Sequence, residues 1–179
     1  MYESDDSSVE AMGLKPGLAL PRISLPATTR ADICLAEVPG RSVLIVYPWT
    51  GRPGHPNPPH WDDIPGAHGS TPELEGFRDL SRDFAALNVG LFGLSNQATD
   101  WQREMAVRLR LPFPILSDAE GRMAAALALP SFATGGETYL KRLTLILSSG
   151  TIEQVFHPVP DPASHARDVL RWFRSEGRS

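Results

Sequence analysis

IPGAHGSTPELEGFRDL, from Ile64 to Leu80, is the stretch from which the rest of the chain is read. Pro65, Gly66 and Gly69 keep the backbone irregular as far as residue 69. Beyond them the pattern predicts a helix that starts at about Ser70, with Ser70 or Thr71 as N-cap, Pro72 in the first turn and Glu73 as the acidic residue favoured there. Leu74, Phe77, Leu80, Phe84 and Leu87 then recur at three- and four-residue spacing, so one apolar face is expected to run to about Leu87. The first N–H groups of such a helix have no partner within it, and its dipole is positive at that end. An anion or a reactive anionic side chain is therefore stabilised at residue 70.

Upstream, Ser42 to Tyr47 (SVLIVY) is a continuous β-branched run ended by Pro48, the signature of a central strand covered on both faces. Between it and the helix lies a loop of proline and histidine, residues 51–68, carrying His55, His60 and His68 with Asp62 and Asp63. The ligand types would suit a metal, but the spacing fits no zinc or iron pattern, and a solvated, proline-stiffened loop is expected. Downstream, Val89 to Leu94 reads as a second buried strand and Asp100 to Leu111 as a helix with Trp101, Met105, Val107 and Leu109 on its apolar side. Phe113 to Leu116 is a short strand, and Asp118 caps a helix over Ala119 to Leu127. Arg142 to Leu147 and Thr151 to His157 form a hairpin about Ser148-Ser149-Gly150, and a last amphipathic helix runs from about Pro162 to Phe173. The order β-α-β-α-β-α-β-β-α predicts an α/β fold with a central mixed β-sheet flanked by helices.

With 179 residues the chain is read as one domain over 13–179 behind a flexible acidic tail at 1–12. A net charge of -4 and the scatter of Lys and Arg argue against nucleic acid. No apolar run approaches the roughly 18 residues of a membrane span, and MYESDDSSVE is unlike a secretory leader, so a cytoplasmic protein is expected. Cys34 stands alone, which excludes an internal disulfide and a cysteine zinc site; it is read as a small, partly buried, unreactive hydrophobe.

Several segments together resemble the peroxiredoxin family over nearly the whole length: IVYPWT at Ile45–Thr50, GSTPELEGFRD at Gly69–Asp79, GLSNQATDWQRE at Gly93–Glu104, LPFPILSD at Leu111–Asp118 and LKRLTLILSSGTI at Leu140–Ile152. The resemblance implies a thioredoxin-like fold and thiol-dependent reduction of hydrogen peroxide or an organic hydroperoxide, with no cofactor and no metal, in a monomer or homodimer served by an external thiol reductant. In the family pattern G-C-T-P-x-x-C-x-F-R-D the peroxidatic cysteine falls on Ser70 and the resolving cysteine on Glu75. The activating arginine falls on Arg142 and the strand-ending proline on Pro48. The family's hydroxyl three residues before the cysteine is Ala67 here, with Thr50 as the candidate replacement, and residues 51–68 are an insertion.

A thiolate attacks the peroxide O–O bond, and a helix N-terminus with a guanidinium keeps that thiolate available at neutral pH. Ser70 cannot take this route, because an alcohol is far less acidic and forms no sulfenic acid. Three readings of Ser70 stay open: an engineered change that holds the reduced state, the natural residue of a diverged non-peroxidatic member, or a serine- or metal-based activity. Glu75 and Ala67 lean toward the second, and AHGST does not fit the G-x-S-x-G pattern of a serine hydrolase. The alternative to catalysis is a binding module for a small anion or a peroxide at the same pocket.

Overall fold

The computed structural model describes residues 13–176, so the tail expected at 1–12 lies outside the described residues. A small antiparallel pair, β1 (Ser24–Leu25) and β2 (Ile33–Cys34), precedes β3 (Arg41–Val46). After the long loop come α1 (Ser70–Asp79), α2 (Ser81–Ala86), β4 (Val89–Ser95), α3 (Thr99–Arg108), β5 (Ile115–Ser117) and α4 (Arg122–Leu127). A second small hairpin, β6 (Ser131–Thr134) with β7 (Glu137–Leu140), leads to β8 (Leu143–Ser148), β9 (Thr151–Phe156) and α5 (Pro162–Glu176). The main sheet has the order β5-β4-β3-β8-β9.

The apolar run at residues 43–47 becomes the central strand because both of its faces are covered. Val43, Ile45 and Tyr47 face a core shared with Leu74 and Phe77 of α1, Phe84 of α2 and Val169 of α5. Leu44 and Val46 face the opposite core with Leu94, Leu116, Met123 and Leu145. As expected, β3 is parallel to β4, pairing Ser42 with Gly90 and Val46 with Leu94. β8 is antiparallel both to β3 and to β9. Ser149 and Gly150, with φ of 46° and 80°, form the tight turn between β8 and β9.

Local details depart from the sequence reading. The helix expected from Ser70 to Leu87 breaks at Leu80, and the kink brings Phe84 to a ring-centroid distance of 5.7 Å from Phe77. On α3, Val107 is 74% exposed, and the buried side is Gln102, Met105 and Leu109. Residue 107 lies well round the helix from that stripe. Ala119–Gly121 form a turn instead of helix; the Asp118 carboxylate nonetheless caps α4, accepting from the Met123 and Ala124 N–H groups at 2.9 and 2.8 Å.

Candidate active site

The site is built where β3 ends and α1 begins. Pro48, buried, cannot donate to a sheet ladder and turns the chain out of β3. At the start of α1 the N-cap is Gly69 and not Ser70 or Thr71 as expected. Two facts select glycine there. Its φ is 109°, which L side chains rarely adopt, and a Cβ would sit 2.7 Å from Cγ of Pro162 at the head of α5. Ser70 is consequently drawn into the first helical turn and is only 3% exposed.

Arg142, in the connection just before β8, donates from Nη2 to Ser70 Oγ at 3.1 Å. The same nitrogen lies 3.3, 3.3 and 3.0 Å from the carbonyl oxygens of Gly66, Ala67 and His68, so the loop before α1 wraps the guanidinium. Its Nη1 donates to Glu73 Oε1 at 3.1 Å. Glu73 is fully buried, and burial pushes its carboxyl from the ordinary 4.5 up to about 7, against the opposing pull of Arg142. Sequence reading assigned Glu73 only to favourable first-turn charge. Its position one turn along from Ser70 on the same helix face was the available signal.

Thr50 takes a different place. Its N–H and Oγ1 donate to Gln97 Oε1 at 3.0 and 3.2 Å, and its carbonyl accepts from Gln97 Nε2 and Trp101 Nε1 at 3.1 and 2.9 Å. Those bonds tie Thr50 to the segment after β4 and to α3, and none runs to Ser70. Cys34 lies half-buried on β2 and is not part of the recess at Ser70.

The loop at 51–68 is largely exposed, as expected of a solvated, proline-stiffened segment, but it is pinned to the body of the protein at a few points. The Arg108 guanidinium donates to the Gly51 carbonyl at 2.9 Å, and Arg52 sits 4.7 Å over the Trp101 ring. Trp61, buried in a short 3-10 turn, meets Trp49 at 5.5 Å, Phe132 at 5.7 Å and Tyr139 at 5.1 Å between ring centroids. The three loop histidines diverge: His55 stands edge-on to Trp101, His68 bonds Asp62, and no cluster of metal-ligating side chains forms among the described residues. Trp49, Asn57, Trp61, His68 and Thr71 surround Ser70 in a recess of ≈ 220 Å³. Chemically, this is a small cleft with a helix N-terminus and a buried arginine aimed at one side chain, an arrangement suited to stabilising negative charge at residue 70.

A Mycobacterium tuberculosis protein provisionally named as a peroxiredoxin is 28% identical over 140 residues, covering 76% of this chain and 80% of the relative. The chloroplastic peroxiredoxin Q of Gentiana triflora is 23% identical over 160 residues, covering 89% and 66%. Among solved structures, peroxidoxin BcpB from Mycobacterium tuberculosis superposes with a TM-score of 0.72 at 25% identity over 90% of this chain and 97% of that one. A cysteine-to-serine mutant of PrxQ from Xylella fastidiosa gives 0.74 at 18% identity over 91% and 97%. These neighbours share the thioredoxin-like architecture of a central mixed sheet flanked by helices. The AhpC/TSA family model matches residues 65–155, from the loop that wraps Arg142 to the end of β9, and the chain belongs to that peroxiredoxin family.

Proposed function

We propose that the cleft at Ser70 is a peroxiredoxin peroxide site in which residue 70 alone decides whether bound peroxide is turned over. The carrying observation is the 3.1 Å hydrogen bond from Arg142 Nη2 to Ser70 Oγ at the N-terminus of α1. With sulfur at that position, the thiolate would attack one peroxide oxygen, forming an S–O bond as the O–O bond breaks. The sulfur is oxidised by two electrons, and the departing hydroxide or alkoxide takes up a proton. Arg142 and the first N–H groups of α1 stabilise the charge on both the attacking and leaving atoms. An alcohol at residue 70 keeps the same placement without the redox chemistry. The substrate class is hydrogen peroxide or an organic hydroperoxide, and Glu75 at the second cysteine position makes an external thiol the reductant. Among the described residues no helix is long and apolar enough to cross a membrane. A cytoplasmic monomer or homodimer is the setting we assign. A binding module without catalysis is the less favoured reading, because it leaves the family membership unused.

Ser70→Cys is the test, assayed as hydrogen peroxide consumption with an external thiol and as oxygen added to residue 70 by mass spectrometry. The variant is expected to consume peroxide and the Ser70 chain not to. A Cys at residue 70 that reacts no faster than an ordinary free thiol would overturn the assignment and bring the binding module forward.

A further inference from the structure

A line of buried polar side chains crosses one side of the sheet and ends at the site. Gln102 on α3 donates to the Ser95 hydroxyl at 2.9 Å, Ser95 ends β4, and the Tyr47 hydroxyl lies close enough to Ser95 to interact with it, though without the geometry of a formed hydrogen bond. The Glu73 carboxylate acts electrostatically on Tyr47, and Glu73 in turn accepts from Arg142. Tyr47, Glu73, Ser95 and Gln102 are all 0% exposed. Four atoms along this line have no hydrogen-bond partner: Gln102 Oε1, Tyr47 Oη, Glu73 Oε2 and Arg142 Nε. Buried polar atoms of this kind are rare and call for an explanation. Tyr47 Oη and Arg142 Nε each carry a proton to donate, and Glu73 Oε2 and Gln102 Oε1 accept. The sequence also makes room for the ring. Gly93 faces it across the β3–β4 pair, where a Cβ would come 3.6 Å from Tyr47 Cε1 and 2.5 Å from Ile115 Cδ1.

We propose that Tyr47 is a positioning residue for the site: its hydroxyl donates through one buried water to Glu73 Oε2 and holds the carboxylate against Arg142 so that the guanidinium stays on residue 70. This rests on the peroxide-site reading for its consequence in catalysis, but not for the contact itself. Tyr47 approaches Glu73 from the end of β3 and Arg142 from the start of β8. From α5, His165 packs on Phe77 and bonds Thr144 at 2.9 Å; burial holds it neutral down to about 4, so it carries no charge in the range where Glu73 changes.

Tyr47→Phe removes one donor and leaves the ring in place. In the Ser70 chain, carboxyl-carbon NMR of Glu73 is expected to show its titration midpoint moving up by about one pH unit in the variant, because ionised Glu73 has lost a hydrogen bond. In a Ser70→Cys background the pH at half-maximal peroxide consumption moves up with it, and the high-pH plateau is regained. A merely structural lesion would lower the rate at every pH. Glu73→Gln in that background removes the pH step, and adding Tyr47→Phe then changes nothing further. A Glu73 midpoint that stays put or falls in Tyr47→Phe overturns the proposal, as does an unmoved rate profile in an active Ser70→Cys protein. If Ser70→Cys is inactive, the peroxide-site reading fails by itself, and the NMR titration still decides the role of Tyr47.

Discussion

Replacing Glu73 by Gln tests whether the buried pair with Arg142 stabilises the fold or burdens it. The carboxyl is raised from 4.5 to about 7 in the folded chain, and burial is the largest cause. Between those values the unfolded chain carries Glu73 ionised while the native state keeps it protonated. The native state then binds more protons, so its stability falls as pH rises through this window. The contribution is fully present below pH 4.5 and lost by the time pH has passed about 7. A gap of about 2.5 pH units corresponds to about 3 kcal/mol at roughly 1.4 kcal/mol per unit. Glu73→Gln has no titrating group at this position. Urea unfolding of both proteins, followed by tryptophan fluorescence from pH 4.5 to 8, cancels the other carboxylates in the difference. The variant is expected to gain on the wild-type chain by about 3 kcal/mol across the window. A difference that is flat in pH would refute the reasoning. So would a wild-type chain that gains on the variant as pH rises, which is how an ordinary stabilising ion pair behaves.

Two further outcomes follow from local geometry. Gly69→Ala places a Cβ at a φ of 109° and 2.7 Å from Pro162, and is expected to cost about 1–3 kcal/mol in urea unfolding, with loss of the α1–α5 contact. Asp118→Ala frees two N–H groups at the head of α4 and is expected to cost about 1 kcal/mol by the same measurement, with Asp118→Asn retaining part of it.

Much of the sheet was legible because its signals are local. The β-branched run at residues 42–47 and the turn at Ser149-Gly150 each report their own conformation. The hairpin β6–β7 carries an equally local signal, since Gly135 and Gly136, both at positive φ, stand between SFAT and ETYL. The start of α1 was predicted at the right residue for an incomplete reason. Ser70 and Thr71 have cap chemistry, but the choice of Gly69 depends on Pro162, which is remote in sequence. Val107 is apolar but lies about 200° round the helix from Met105, so its character alone does not place it on the buried side. At the site, Ser70 and Arg142 came from motif resemblance, and the structure brings them into hydrogen-bond contact. The spacing of Glu73 from Ser70 puts both on one helix face, but the depth of its burial and the turning of Thr50 toward Gln97 depend on tertiary packing.

The wall of the recess has a bearing on how the protein matures. Trp61 rests on Phe132 and Tyr139, the Pro59 carbonyl accepts from Thr134, and Ser70 receives Arg142 from 72 residues further along the chain. A nascent chain emerging from the N-terminus therefore displays Ser70 and its proline-rich loop well before Arg142 and the rings that back Trp61 exist. The cleft is completed only when the second half of the sheet is laid down, since contacts this distant in sequence form late. A fragment ending before β6 keeps residue 70 with Trp49 and Trp61 but lacks the rings that seat Trp61 and the guanidinium, so the charge-stabilising half of the site arrives last.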